Sequence, residues 1–435
     1  MDVVALGESM VAFLPTRPGR LADVPSFDRA IGGAESNVAC ALAAAGHAVR
    51  WVSRAGADGF GDHLVETVAS YGVDVGHVDR DPVRPTGVYF RTAGDRATDA
   101  HEVAYYRAGS AASAMSARTV DLAAVRAGRV LHLSGITAAL SPGCLELLRE
   151  LTAPAAGRPV VSFDVNYRRG LWGSGNGPEV LLELARRADI VFVGEDEAEE
   201  AWGVTGGPAA VRELLPEPSV LVVKQGAAGA TAFVPGAGEG AVAGAGAGVG
   251  EGADAGACEG ADAGACEGAD AGEGAAPSWP VERFTAPLTG RCGCGCTAGS
   301  PRCGQPCGTP PVPVPMPVPG SESPAPTAGT FEPAPAAGTF EPAPAVDVVA
   351  PVGAGDAFAA GFLSGTLRGL PLRRTLRLGH LYAAAALTTP ADLAPPPARD
   401  TADRLTALGD LAWERLRLGP GWTEADAAEE EVRTP

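Results

Sequence analysis

Arg129-Val130-Leu131-His132-Leu133, Pro159-Val160-Val161-Ser162-Phe163-Asp164, Asp189-Ile190-Val191-Phe192-Val193 and Ser219-Val220-Leu221-Val222-Val223 are four short, largely apolar runs. Helical patterns lie between them. Ser141-Pro142 opens one helix with an N-cap serine and a proline at the first helical position, and another helix starts near Glu195. A strand apolar on both faces must be covered on both faces, and a βαβα rhythm joins strands by crossovers. The expected fold class is therefore α/β, a mainly parallel central sheet with helices on both sides. Met1–Glu8 extends the pattern as a first strand, Ala230–Val234 and Val346–Val349 as later ones, and 355–369, 372–387 and 401–418 as helices.

The rhythm breaks over 236–345. Glu-Gly-Ala-Asp-Ala-Gly-Ala-Cys repeats with a period of eight from Glu251, and a Pro-Val alternation runs over 310–319. Ala-Gly-Thr-Phe-Glu-Pro-Ala-Pro-Ala occurs twice, from Ala328 and from Ala337. Such composition buries too little apolar surface to offset chain entropy. The expectation is one globular domain from 1–235 and 346–423, interrupted by a long disordered insertion at 236–345 and followed by an acidic tail at 424–435. Within the insertion only 279–288 has any apolar density.

The 435 residues hold 52 acidic and 33 basic side chains, a formal net charge of −19. That balance argues against nucleic acid or an anionic membrane surface as partner. No apolar run reaches the ~18–20 residues of a membrane helix. The start lacks a basic n-region and a cleavage site, so a cytoplasmic location is expected. Of nine cysteines only Cys40 and Cys144 lie outside the insertion, consistent with a reducing compartment. Cys292, Cys294, Cys296, Cys303 and Cys307 do not have a usual zinc spacing. Lys224 is the one lysine in the chain.

Two glycine-containing motifs carry the chemistry. Pro351-Val352-Gly353-Ala354-Gly355-Asp356 runs from a small-residue loop straight into a helix. Backbone N–H groups at a helix start suit a phosphoryl group, and a carboxylate in the first turn can take a proton from an attacking hydroxyl. Gly32-Gly33-Ala34-Glu35-Ser36-Asn37 precedes another helix, and the Asn37 amide can bind sugar hydroxyls as donor and acceptor. Read singly, each stretch is also a plain capped turn.

Together, in this order and at this separation, the two motifs resemble the PfkB (ribokinase-like) carbohydrate kinases. Thr86-Gly87-Val88-Tyr89, Tyr105-Tyr106-Arg107, Leu131-His132-Leu133-Ser134-Gly135 and Asp164-Val165-Asn166-Tyr167-Arg168 resemble in particular 2-dehydro-3-deoxygluconate kinase. The resemblance covers nearly all of 1–235 and 346–415. It implies a three-layer sandwich with a small β lid, drawn from parts of 10–30 and 85–107, through which relatives often form homo-oligomers. It implies ATP and Mg²⁺ as cofactors and a small sugar acid as substrate.

By the same resemblance Asp356 is the general base. Gly33, Ala34, Glu35, Ser36, Asn37, Tyr89, Tyr105, Tyr106, Arg107, Arg168 and Asp392 meet the sugar. Asn166, Tyr167, Arg168, Lys224, Gly226, Gly229, Gly353, Ala354, Gly355 and His380 meet the nucleotide, and Glu197 meets Mg²⁺ through water. Arg107 and Arg168 supply planar forks for a carboxylate that a neutral hexose lacks. Gly194 replaces the Asn of the family's Asn-x-x-Glu element. Ala350 stands where relatives often carry an Asp, which puts K⁺ activation in doubt. The alternatives are a fructokinase or ribokinase, and a non-catalytic sugar-binding regulator that uses the insertion to recruit partners.

Overall fold

The computed structural model describes residues 1–92, 102–173, 175–235 and 337–424. Its main sheet is built from β1 (Val3–Leu6), β4 (Val49–Gly56), β5 (Asp74–Asp81), β8 (Val130–Ser134), β9 (Val160–Asp164), β10 (Ile190–Gly194), β11 (Val220–Lys224), β12 (Gly229–Phe233) and β13 (Thr339–Pro342). The spatial order is β13-β12-β11-β10-β9-β8-β1-β4-β5. Seven strands run parallel, and β12 pairs antiparallel with both β11 and β13. A second sheet, ordered β3-β2-β6-β7, comprises β2 (Met10–Pro15), β3 (Phe27–Gly32), β6 (Val88–Arg91) and β7 (Val103–Tyr106). The central sheet is the expected mainly parallel one, and the four apolar runs all become its strands.

Helices of two turns or more are α1 (Ala34–Ala44), α2 (Gly59–Ser70), α3 (Pro142–Thr152), α4 (Gly177–Arg187), α5 (Glu195–Trp202), α6 (Gly207–Leu214), α7 (Ala354–Leu367), α8 (Leu372–Leu387) and α9 (Arg399–Thr406). The strand period of two divides the core cleanly. Val3, Ala5, Ile190, Phe192, Val220 and Val222 face α1, α7 and α8, packing with Phe362 and Leu376. Val4, Leu6, Val191, Val193, Leu221 and Val223 face the other layer, with Leu147 of α3 and Leu184 of α4. The Ser141 hydroxyl accepts from the Cys144 N–H at 3.1 Å, so the expected N-cap of α3 is made. No helix among the described residues is long and apolar enough to cross a membrane.

Three boundaries differ from expectation. The helix expected over 401–418 is broken. α9 ends at Thr406, a short helix covers Asp410–Glu414, and Arg417–Leu418 (β15) pairs with Ala345–Val346 (β14). Gly409, extended at φ −64° and ψ 161°, separates the two helices. The strand expected over 346–349 is reduced to β14, because its backbone turns towards the carbonyl of Leu387, which Val349 and Ala350 bond.

The insertion does not extend to residue 345, because the second Ala-Gly-Thr-Phe-Glu-Pro-Ala-Pro-Ala copy forms β13. What holds that strand is a side chain as well as a ladder. The Glu341 carboxylate is fully buried and receives Arg377 Nε at 2.6 Å and Arg373 Nε at 2.7 Å. Arg377 also reaches Asp410 at 3.1 Å and stacks 4.8 Å from the Trp413 ring. Removing one partner of a buried pair leaves an uncompensated charge, which costs about 3–5 kcal/mol. Glu341→Gln is expected to lower stability by that order in urea unfolding. An unchanged midpoint would mean that β13 is held by its backbone alone.

The first copy of the repeat, residues 279–288, the five clustered cysteines and the tail beyond residue 424 lie outside the described residues. The register Ala232↔Thr339 brings the two ends of the gap side by side. Replacing 236–336 by a short Gly-Ser linker is therefore expected to preserve the fold, since loop length enters only logarithmically. The same replacement of 236–345 removes β13 and Glu341 and is expected to unfold the chain. Melting temperatures of the two deletions check this, and equal values would overturn it.

Candidate active site

Parallel strands of an open sheet present their carboxyl ends to one crevice. Here those ends deliver Glu8 after β1, Asp164 and Asn166 after β9, Glu197 after β10 and Lys224 at the end of β11. They surround a cavity of about 430 Å³, closed on the far side by Tyr89 and Arg91 of β6 and Tyr105 of β7. Two glycine turns make room for it. Gly33 precedes α1 where a Cβ would run into the Glu8 carbonyl and Ser9. Gly353 adopts φ +75°, and a Cβ there would collide with the Asp392 carbonyl. Only glycine combines that backbone with that approach.

Gly353 starts α7. The first intrahelical bond runs from the Ala357 N–H to the Gly353 carbonyl at 2.9 Å, which leaves the Ala354, Gly355 and Asp356 N–H groups ahead of the ladder. The lysine ammonium lies over this turn, so that a Cβ on Gly355 would touch Lys224 Nζ. Backbone donors, helix dipole and ammonium together make a setting for phosphate oxygens.

Asp356 sits in the first turn of α7 at the cavity floor. Asn37 Nδ2 donates to Oδ2 at 3.0 Å and Asn166 Nδ2 to Oδ1 at 3.4 Å. Burial pushes its carboxyl up to about 7; the Asn37 amide opposes that, and the nearby Asp164 charge adds to it. A carboxylate poised there is protonated or free at neutral pH with similar ease, as a general base requires. Asn166 holds φ +43°, left-handed for a non-glycine residue, and its Oδ1 is buried without a partner among the described residues. Asn37 Oδ1 is likewise unpaired. Two unsatisfied, enclosed acceptors therefore belong to the two amides that hold the carboxylate.

Every cation at the cavity wall has an acidic partner. Lys224 meets Asp164 at 3.0 Å, Arg168 meets Glu197 at 3.0 Å, Arg91 meets Asp392 at 2.8 Å, and Arg107 pairs with Glu8. Burial works to lower the Lys224 ammonium, but Asp164 and Glu197 outweigh it and hold it above its usual value. Burial works to raise Glu197, and Lys224, the Gly194 N–H and Arg168 together hold it below the usual carboxylate range. Both Glu197 oxygens are engaged, by Arg168 and by the Gly194 N–H at 2.9 Å. Among the described residues no three His, Cys, Asp or Glu side chains converge as an ion cage.

The pfkB family carbohydrate kinase model matches residues 1–246 and 335–399. The chain belongs to the pfkB family of carbohydrate kinases. It is 33% identical to the 2-dehydro-3-deoxygluconokinase of Thermoproteus tenax over 243 residues, 54% of this chain and 72% of that one. It is 33% identical to Fructokinase-1 of Zea mays over 46% of this chain and 62% of that one. The crystal structure of a PfkB protein from Polaromonas sp. JS666 superimposes with a TM-score of 0.61 at 25% identity, covering 94% of this chain and 99% of that one.

In this pfkB-family chain Gly33, Ala34, Asn37, Tyr89, Tyr105, Arg107, Asn166, Arg168, Glu197, Lys224, Gly353, Ala354, Gly355, Asp356 and Asp392 all border the cavity. The other expected residues do not. Glu35 is wholly buried beneath it, taking hydrogen bonds from Ser134 at 2.8 Å and Thr137 at 2.6 Å, and burial raises its carboxyl. Ser36 bonds Ser9 at 2.8 Å. Tyr106 alternates with Tyr105 along β7 and is 66% exposed, edge-on to Phe90. Tyr167 is core. Gly226 and Gly229 flank the β11–β12 turn outside the wall. His380 is buried against Phe358 with Nε2 3.0 Å from the Glu341 carbonyl, and burial lowers it to about 4.

Glu8, Met10, Arg91, Val103 and Ile136 border the cavity without having been singled out, and Asp164 reaches it through Lys224. Glu8 and Asp164 were findable as carboxylates at the ends of apolar strands. Arg91 was findable from Tyr89, since residues two apart on a strand share a face.

Proposed function

We propose that this chain transfers the γ-phosphoryl group of ATP to 2-dehydro-3-deoxy-D-gluconate, giving the 6-phosphate. The observation that carries the reading is Asp356, a half-buried carboxylate in the first turn of α7 that shares its cavity with Arg107, Arg168 and Tyr105. Asp356 takes the proton of the substrate hydroxyl as that oxygen attacks phosphorus. Asn37 and Asn166 hold the carboxylate in place for it. The α7 N–H groups and Lys224 stabilise the phosphate oxygens, where charge spreads in the transition state. Mg²⁺, when bound with the nucleotide, neutralises phosphate charge, and Glu197 would reach it only through water.

Arg107 and Arg168 receive the sugar carboxylate, with Tyr105 adding a hydroxyl. Their present partners, Glu8 and Glu197, share them with the incoming anion. β2, β3, β6 and β7 act as the lid that keeps water from the reacting phosphate, and a homo-oligomer through their free edges belongs to the same reading. Size-exclusion chromatography with light scattering checks the latter.

ATP turnover measured in parallel on 2-dehydro-3-deoxygluconate, fructose and ribose tests the function. Preference for the keto-deoxy acid is expected. Preference for fructose would move the assignment to the fructokinases that are equally identical in sequence. Sugar binding with no ATP turnover on any of them would leave the regulator.

A further inference from the structure

Arg107 follows β7, and the strand ladder fixes its backbone but not its long side chain. Glu8, which follows β1 in the main sheet, holds that side chain. One Glu8 oxygen, Oε2, pairs with Arg107 Nη2, and the other, Oε1, accepts from the Ser110 hydroxyl at 2.5 Å. Ser110 lies one turn beyond Arg107, and its N–H donates to the Arg107 carbonyl at 3.0 Å. A single carboxylate therefore grips both the guanidinium and the turn that carries it.

The surroundings of this clamp are close-fitting. The Glu8 side chain is 1% exposed and that of Arg107 11%, and both residues border the cavity. A Cβ on Gly87 would lie 3.1 Å from Glu8 Oε1 and 3.4 Å from Arg107 Cβ, so any side chain there would press on both partners. The turn itself is tied down. The Ala111 N–H donates to the Pro85 carbonyl at 2.8 Å, and the Ser113 hydroxyl to the Ser110 carbonyl at 2.7 Å. Ordering an arginine side chain costs conformational entropy. Where the clamp has already ordered it, an arriving carboxylate meets a planar fork in place, and binding is tighter for that reason.

We propose that Glu8 is a positioning residue: anchored by Ser110, it holds Arg107 where the carboxylate of the substrate docks, and so sets the preference for an acid over a neutral sugar. This deepens the proposed function and rests on it for the acid end. Glu8 acts through Arg107 and touches no reacting atom. A carboxylate present only as a counter-charge would have the opposite effect. It would compete with the substrate for the guanidinium, and its removal would tighten acid binding.

The test is a double-mutant cycle in the full-length protein, with KM and kcat measured for 2-dehydro-3-deoxygluconate, fructose and ATP. Glu8→Gln keeps an acceptor for Ser110 and removes the charge that fixes Arg107. It is expected to raise the KM for the keto-deoxy acid about tenfold, with kcat and the KM for ATP within about twofold of the wild type and fructose moved far less. Ser110→Ala leaves both charges in place and removes only the anchor. It is expected to move the same KM in the same direction by about threefold. In an Arg107→Ala background neither change is expected to add a further loss, because the group they act through is gone. Should Glu8→Gln be too unstable to assay, Ser110→Ala alone and combined with Arg107→Ala gives the same reading.

A KM for the acid that is unchanged or falls in Glu8→Gln, or that does not move in Ser110→Ala, would overturn the inference and leave Glu8 a counter-charge. Losses that persist in the Arg107→Ala background would overturn it in favour of a plain tie between β1 and the lid. The substrate reading fails separately. If Arg107→Ala alone weakens acid and fructose alike, or only fructose is turned over, that arginine recognises no acid end. The cycle is then read on fructose, where non-additive losses at Glu8 and Arg107 uphold the positioning role and additive ones end it.

Discussion

Asp356→Asn is expected to lower kcat about 10²–10⁴-fold, the usual contribution of a positioned general base, with sugar affinity nearly unchanged. Asparagine preserves the shape and can still bond Asn37 but cannot take a proton. Because burial places the carboxyl near 7, the wild-type kcat/KM is expected to rise with pH up to about 7 and then level, each unit below costing about tenfold. The sign follows from the role: a base acts only when deprotonated. Stability runs the other way. A carboxyl raised in the folded state penalises folding as pH climbs from its unfolded value of 3.8 through about 7. At pH 8 the neutral asparagine removes that penalty, so the variant is expected to melt higher than the parent, by about 1–3 kcal/mol after allowing for the solvent that enters the cavity. Turnover equal to the parent's would refute the role. A lower melting point would mean that the charge is better solvated than its surroundings indicate.

Arg107→Ala is expected to reduce kcat/KM for 2-dehydro-3-deoxygluconate about 10–100-fold and to change turnover of fructose far less. A hydrogen bond to a charged group is worth ~1.5–3 kcal/mol, and only the acid has the charge. The structure adds a control. Arg107 is the ion-pair partner of Glu8, whose side chain is 1% exposed and whose other oxygen accepts from Ser110 at 2.5 Å. Removing the arginine alone strands that carboxylate and should destabilise the protein for reasons unrelated to substrate. Arg107→Ala combined with Glu8→Gln removes the complication. In that background a loss confined to the keto-deoxy acid supports carboxylate recognition, whereas an equal loss for both sugars points to the fructokinase reading.

Much of the molecule was legible without coordinates, for reasons that can be named. The apolar runs at 130, 160, 190 and 220 become β8 to β11 because a strand covered on both faces has no polar positions to spare, and no other short element tolerates that composition. Ser141 and Pro142 mark the start of α3 because capping is local chemistry. The Gly353-Ala354-Gly355-Asp356 turn was legible for the same reason: a left-handed glycine, a helix start and a first-turn carboxylate are set by a handful of adjacent residues.

What adjacency does not contain, tertiary structure decided. Ala-Gly-Thr-Phe-Glu-Pro-Ala-Pro-Ala stands twice in the chain, and nothing within nine residues says which copy enters the sheet. The copy from Ala337 is β13 because its Glu341 meets Arg373 and Arg377 of α8, more than thirty positions away. His380 and Glu35 carry functional-looking side chains, yet a helix or turn exposes each residue to a neighbour chosen by the fold, and both are spent on buried hydrogen bonds. Arg91, Asp392 and Glu8 are ordinary charges in the sequence, and they become a site only where a lid strand, a late loop and the end of β1 converge. Local propensity determines elements and their caps. Which charges share a cavity depends on contacts between residues hundreds of positions apart, and those energies belong to the packed chain.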